Sequence, residues 1–229
     1  MKQKLKADFH IHTAEDPRDN IHYTARDIID RGAELGFDVL SITNHDVVTC
    51  DNALVSYAEK KNILLIPGIE VTLSHKHVVI LNPGFKKTPH GSRLQDLAEL
   101  KDDRSLLIAP HPFFFGFKSL LTDFYSYLPF FDAIEHAHYY SRLIDMNKKA
   151  IAAAAKFHLP LVATSDSHNL WQFGTSFTYI DAEKGPLAVI EAVKAGRIEI
   201  VTSPLSMPTM IRIAFNFLLC DRLKLPFRI

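Results

Sequence analysis

From residue 5 to residue 201, short runs rich in β-branched and aromatic residues alternate with stretches of helical apolar spacing. The reading places strands at 5–13, 37–43, 63–67, 77–81, 106–109, 131–135, 161–164, 177–180 and 199–201, and helices at 24–35, 51–61, 92–101, 143–158 and 186–195. Thr24 is an N-cap candidate, and Gly36 stands where a glycine stops a helix. Such alternation calls for a mostly parallel sheet with crossover helices. Its polar residues are placed in a particular way: His10, His12, His45, Glu70, His111, Glu135, Asp166 and His168 fall at or just beyond the C-terminal ends of expected strands. Closed barrels build their sites on that face, and seven contributing strands fit a ring better than an open sheet with one crevice. The expectation is an α/β barrel of about seven strands.

Composition narrows the chemistry. The chain has 229 residues, 47% hydrophobic, enough for one sizeable core. We expect one domain over 1–229, with 203–229 a C-terminal helical extension packed on it. Lys plus Arg balance Asp plus Glu at 26 each, so the basic excess of proteins that grip long nucleic acid is missing. The expectation is a small anionic substrate with no extended nucleic-acid footprint. Cys50 and Cys220 are too few for a disulfide framework or a thiolate zinc site. No stretch reaches the ~20 apolar residues of a membrane span, and the N-terminus lacks a signal-peptide core, so the expected compartment is cytoplasmic.

The first strand ends in Asp8-Phe9-His10-Ile11-His12-Thr13. Residues two apart on a strand share a face, so two imidazoles stand about 7 Å apart along it and can converge on one ion. Three further short motifs follow at strand ends: Ile42-Thr43-Asn44-His45-Asp46, Ala109-Pro110-His111-Pro112 and Ser165-Asp166-Ser167-His168, with Pro67-Gly68-Ile69-Glu70 between.

In these motifs the chain resembles the polymerase and histidinol phosphatase (PHP) superfamily over roughly residues 5–200. The resemblance implies a distorted seven-stranded (β/α) TIM-like barrel, two or three divalent metals, and hydrolysis of phosphate esters. It implies that His10, His12, Asp166 and one oxygen of Glu70 hold a first ion, and that the other Glu70 oxygen, His77 and His111 hold a second. His45, His168 and an acidic or histidine residue of the loop after the first motif would hold a third. That residue is Asp16 or Asp19; Asp19 is preferred, because Asp16-Pro17 has the form of a turn whose aspartate bonds its own backbone. Asn44 departs from the family's usual aspartate, a change expected to touch only hydrogen bonding around the site.

The residue chemistry agrees with that resemblance. Six histidines and three carboxylates without sulfur suit Mn²⁺, Fe²⁺ or Zn²⁺. Glu70, Asp166 and His111 are the expected catalytic positions. Glu135 is a candidate to orient a ligand imidazole, and His136 or His138 a candidate proton donor. Phe113, Phe114 and Phe115 are expected to pack under a loop, and Arg142 and Lys118 to be solvated. Residues 210–223 have helical apolar spacing and could seal the barrel or form a homo-oligomer contact. Two other classes compete with a phosphoesterase: an amidohydrolase-type hydrolase, for which no metal-bridging lysine candidate follows a middle strand, and a non-catalytic metal-binding regulatory module.

Overall fold

The computed structural model describes residues 3–88, 92–116 and 118–223, the side chains of 216–223 excepted. His90 and the side chains of Leu218, Leu219 and Cys220 lie outside the described residues. In chain order the elements are β1 (Gln3–Asp8), α1 (Ala25–Glu34), β2 (Val39–Leu40), α2 (Asn52–Lys60), β3 (Leu64–Leu65), β4 (Gly68–Leu73) and β5 (Lys76–Leu81). They continue with α3 (Leu97–Leu100), β6 (Leu106–Ala109), α4 (Asp123–Tyr127), β7 (Ala133–His136), α5 (Asn147–Phe157), β8 (Leu161–Ala163), β9 (Phe177–Ala182), α6 (Pro186–Lys194), β10 (Ile198–Val201) and α7 (Met207–Leu223).

The strands do not close into the expected seven-stranded barrel. They form two five-stranded mixed sheets, ordered β10-β9-β1-β2-β3 and β4-β5-β6-β7-β8. In the first, β1, β2 and β3 run parallel, while β9 is antiparallel to both β1 and β10. In the second, β4, β5 and β6 are successively antiparallel, and β6, β7 and β8 parallel. Between the sheets, Ile11 bridges Ser167 and His45 bridges Glu70 as isolated pairs, and no ladder joins the sheets among the described residues.

Two local causes explain the departure. Pro67 has no N–H to give a ladder, so the run expected at 63–67 shrinks to Leu64–Leu65 and the chain restarts as β4 in the other sheet. Then only Ser74 and His75, at φ 49° and 66°, separate β4 from β5. A two-residue link can make a hairpin but not a crossover, so the pair must be antiparallel. Glu70 consequently lies within β4, opposite Val79, rather than beyond a strand end.

Three apolar clusters hold this frame. Leu5, Ala7, Phe9, Val39, Val79, Ile108, Ala133 and Val162 come from both sheets and meet Val189, Ile190, Ala192 and Val193 of α6. The opposite faces of β5 and β6, through Val78, Ile80, Leu107 and Ala109, pack on Leu97, Phe124, Ala150 and Ala153 of α3, α4 and α5. Alternate residues of these strands are thus buried on opposite faces, as in a covered sheet. Ile28 and Ile29 of α1 and Leu54 and Ala58 of α2 cover Leu40, Ile42 and Leu65. α1 starts with a reciprocal cap: Thr24 Oγ1 accepts from the Asp27 N–H, and Asp27 Oδ2 accepts from the Thr24 N–H at 2.7 Å. The start of α7 docks on the loop after β7, where Tyr139 donates its hydroxyl to the Met210 carbonyl at 3.0 Å. Among the described residues, no helix is long and apolar enough to cross a membrane.

Candidate metal centre

The cluster forms where the two sheets meet. His10 and His12 follow β1 and His45 follows β2, all from the first sheet; Glu70 and His77 sit on β4 and β5, and His111, Asp166 and His168 follow β6 and β8, all from the second. Gly68 permits the approach: a Cβ there would stand 2.1 Å from Ser41 Oγ and 2.8 Å from Thr43 Cγ2. The Glu70 N–H donates to the Asn44 carbonyl at 3.3 Å and the Asp46 N–H to the Glu70 carbonyl at 2.9 Å, locking β4 to the second motif. His111 and Asp166 take left-handed backbone at φ 31° and 42°. Such backbone is costly for residues with side chains and gathers at functional sites.

Glu70 is the centre of the arrangement, 1% exposed. Its Oε1 lies 3.4 Å from His10 Nε2, 3.5 Å from His111 Nε2 and 2.8 Å from His77 Nδ1. Its Oε2 lies 3.0 Å from His45 Nε2 and 3.5 Å from His12 Nε2. Asp166 Oδ1 is 3.4 Å from His10 Nε2 and 3.5 Å from His12 Nε2, and those two nitrogens are 3.2 Å apart. His168 Nε2 faces Asp19 Oδ2 at 3.1 Å, which also lies 3.4 Å from His45 Nδ1. All nine residues singled out in the sequence as ligands are therefore in one place.

The remaining nitrogens of several rings are held from behind. His10 Nδ1 is 2.8 Å from Glu135 Oε1, which also accepts the Thr164 hydroxyl; Glu135 Oε2 accepts the His111 N–H at 2.6 Å. Asp16 Oδ2 takes both His12 Nδ1 and His45 Nδ1 at 2.9 Å, and the His45 N–H at 2.8 Å. Its Oδ1 accepts the N–H groups of Arg18 and Asp19 at 2.8 and 3.3 Å, the backbone turn that the Asp-Pro pair suggests. His168 Nδ1 donates to the Asp166 carbonyl at 3.1 Å. Asn44 stands outside the ring of nitrogens: its Oδ1 accepts the Thr13 N–H, and its Nδ2 donates to the hydroxyls of Thr13 and Thr49.

This pattern tests whether a cation fits. A neutral imidazole carries one N–H. With the Nδ1 protons of His10 and His12 directed to Glu135 and Asp16, their Nε2 lone pairs point at each other and at two carboxylates. The same holds for His168 Nε2 against Asp19. Only a positive charge reconciles such contacts, either as protons or as metal. Burial works against charge on His45 and His168, yet neighbouring carboxylates outweigh it: Glu70 and Asp16 lift His45 to about 10, and Asp19 and Asp166 lift His168 to about 9. Burial opposes charge on Glu70 too, and the surrounding imidazoles overcome it and hold its carboxyl well below the usual range. His77 instead is pushed down to about 4 by burial, despite Glu70. Donors 2.0–2.2 Å from a common ion, at octahedral or tetrahedral angles, stand roughly 2.9–3.5 Å apart. The 3.2–3.5 Å separations among His10, His12, Glu70 and Asp166 meet that condition. Glu70 Oε1 and His77 Nε2 are buried without a hydrogen-bond partner among the described residues, His77 Nδ1 approaching Oε1 out of line. The residues fit divalent metal.

Around the rim, Phe114 reaches the His111 ring at 6.5 Å and Tyr139 at 6.4 Å. Phe113 is buried in the core, whereas Phe115 is 93% exposed. Arg18 is tied down by Asp46 and by Thr72 Oγ1, the latter at 2.8 Å. Arg142 is exposed, and the Lys118 carbonyl accepts the His77 N–H at 2.9 Å. Sequence reasoning missed Gln172, a buried residue beyond the fourth motif that contacts both His168 and His138. A lone glutamine has no pattern to reveal it.

Known proteins resemble the chain in part of its sequence and in its fold. A PHP-associated family model matches residues 145–198. The fold matches a two-domain protein from Bacteroides vulgatus containing a predicted PHP-like metal-dependent phosphoesterase, with TM-score 0.71 and 22% identity over 93% of this chain and 70% of that one. The fold also matches PsfC from Pseudomonas syringae, with TM-score 0.66 and 16% identity over 97% of this chain and 100% of that one. Endonuclease Q in complex with a 27-mer duplex substrate also matches, with TM-score 0.56 and 14% identity over 84% of this chain and 56% of that one. A search of the curated proteins finds no match.

Proposed function

We propose that this protein is a PHP-type metal-dependent phosphoesterase that holds two or three divalent transition ions (Mn²⁺, Fe²⁺ or Zn²⁺) on His10, His12, Asp19, His45, Glu70, His77, His111, Asp166 and His168. The observation that carries the reading is the convergence of imidazole Nε2 atoms on Glu70 and Asp166 while carboxylates behind them take the Nδ1 protons. Ions bound there supply Lewis acidity towards phosphate oxygens and make water a nucleophile near neutral pH. Glu70 turns Oε1 towards His10, His77 and His111 and Oε2 towards His12 and His45, so it would be the carboxylate shared between ions. Asp166 would join His10 and His12, His111 would join His77 beside the same Glu70 oxygen, and Asp16 and Glu135 fix the ring orientations on which affinity depends. The likeness to PHP-like phosphoesterases supports the reaction class, and the substrate is a phosphate ester.

Balanced net charge pointed away from extended nucleic acid, but the endonuclease Q neighbour, crystallised with a duplex, does not fit that expectation. Nucleotides and oligonucleotide ends therefore stand beside small phosphomonoesters as substrates. The test is elemental analysis of the purified protein after Mn²⁺ incubation and desalting, followed by a panel of phosphomonoesters, bisphosphates, oligonucleotides and amides. We expect two to three ions per chain and turnover of at least one phosphoester. Fewer than one ion, or a fully loaded protein inert to every phosphoester, would overturn the reading.

A further inference from the structure

Gln172 is 3% exposed, and its Oε1 accepts from the backbone N–H of His168 at 3.1 Å, the N–H of Asn169 at 2.8 Å and the Asn169 side-chain amide at 3.2 Å. With the oxygen committed to that turn, the amide NH₂ faces the other way, where His138 Nε2 lies at 3.0 Å. His138 Nε2 is therefore the acceptor, and a neutral ring must carry its proton on Nδ1. Burial keeps the ring neutral, at a pKa of about 4, against the pull of Asp166 and Glu135. His138 is 5% exposed, and its Nδ1 has no hydrogen-bond partner among the described residues. A buried N–H left unsatisfied is costly, and such a group calls for an explanation in a ligand. Gln172 joins the ring directly to the backbone of His168, which puts it beside the cluster. His136 also has an unpartnered Nδ1, but its ring packs edge-on against Tyr140 at 5.1 Å and Asp145 is the foremost charge acting on it.

We propose that the Nδ1–H of His138, its tautomer fixed by Gln172, donates a hydrogen bond to an oxygen of the phosphate ester bound at the cluster. The proposal rests on the phosphoesterase reading and adds to it a contact that discriminates for an anionic oxygen ligand. The neutral ring gives the phosphate a donor that does not compete with the ions for the carboxylates. Gln172 is then a positioning residue: it touches no substrate, but decides which ring nitrogen carries the proton.

The test combines ¹⁵N-histidine NMR of the zinc-loaded protein with calorimetric binding of inorganic phosphate to the parent, His138→Ala and His138→Asn, zinc content being measured for each. We expect His138 protonated at Nδ1 and bare at Nε2, and equal zinc in all three proteins. Phosphate should bind about 10–100-fold more weakly to His138→Ala, the loss of a hydrogen bond to a charged group. His138→Asn, whose amide nitrogen stands about where Nδ1 does, should stay within roughly fivefold of the parent on the same scale. The opposite tautomer, or equal affinity of the two variants, would overturn the proposal while leaving the phosphoesterase reading in place. A parent that binds neither zinc nor phosphate would overturn both. Should the alanine variant not fold, the parent's tautomer and the asparagine variant decide.

Discussion

Glu135 Oε1 lies 2.8 Å from His10 Nδ1 in a fully buried contact, while the other oxygen of the same carboxylate holds the backbone N–H of His111 at 2.6 Å. One side chain on β7 thus sets the orientation of a ring after β1 and the left-handed turn after β6. Glu135→Gln keeps the shape but can accept on only one side, since its NH₂ must face a donor. Metal affinity should fall by about 10–100-fold, the usual cost of losing a carboxylate behind a ligand imidazole. A competition titration with a zinc chelator measures this, and unchanged affinity would remove Glu135 from the support of the cluster.

Glu70→Gln replaces one oxygen of the central carboxylate with a poorly coordinating NH₂. Both halves of the cluster should lose metal together, and phosphoester turnover should fall at least ~10³-fold, comparable to removing a principal electrostatic element of an active site. His77→Ala should instead leave the pocket of His10, His12 and Asp166 loaded. Metal stoichiometry in the two variants is the comparison; a Glu70→Gln protein with its metals and parental rate would end the bridging role.

Asp16 and Asp19 separate by the same logic. Asp16 takes two ring nitrogens and one backbone N–H on a single oxygen, so Asp16→Asn should weaken all ions by about 10–100-fold without changing their number at saturation. Asp19→Asn should lower the saturated stoichiometry by one ion. Elemental analysis at excess Mn²⁺ decides, and the reverse pattern would exchange their roles.

Chelation should destabilise the fold as well as abolish activity. An ion present at 100–1,000 times its dissociation constant stabilises the folded chain by about 3–4 kcal/mol. At roughly 2–4 °C per kcal/mol for a chain of this size, EDTA should lower Tm by about 5–15 °C, read by calorimetry. An unchanged Tm would mean that the protein holds no tightly bound ion.

Cys50 makes a pH prediction away from the cluster. Burial, with Asp51 adding to it, pushes its thiol up to about 11. The nucleophilic thiolate is then about a hundredfold scarcer at pH 8 than for an ordinary exposed cysteine. Peptide mapping after iodoacetamide should find Cys50 slow in the native protein and fast once it is unfolded. Rapid native labelling at pH 8 would contradict its burial.

The sequence made the cluster legible and the sheets illegible, for one physical reason. His10, His12, His45, His111, Asp166 and His168 sit in short motifs whose composition reflects local chemistry, and local chemistry survives any rearrangement of strand order. Sheet closure depends on hydrogen bonds between distant strands, which the alternation of apolar runs does not encode. The local signals that mattered were present, in Pro67 breaking a ladder and in the two-residue link of Ser74 and His75, but alternation outweighed them in the reading. The expected helix at 143–158 begins only at Asn147, because Asn147 accepts the Ala137 N–H and donates to its carbonyl, a long-range use of its side chain. Asp16 reads as a turn residue and is one, yet its second oxygen organises two rings, which spacing alone does not reveal.

The absence of a ladder between the sheets among the described residues has a further consequence. Each sheet contributes part of the ligand set, so bound ions would tie across a line that, among the described residues, the backbone spans only by three isolated bridges and scattered loop hydrogen bonds. A chain synthesised under metal starvation would then open along that line more often and expose cleavable backbone to proteases. Its cellular lifetime would rise and fall with metal supply, and the amount of protein would follow the availability of the ion its chemistry needs.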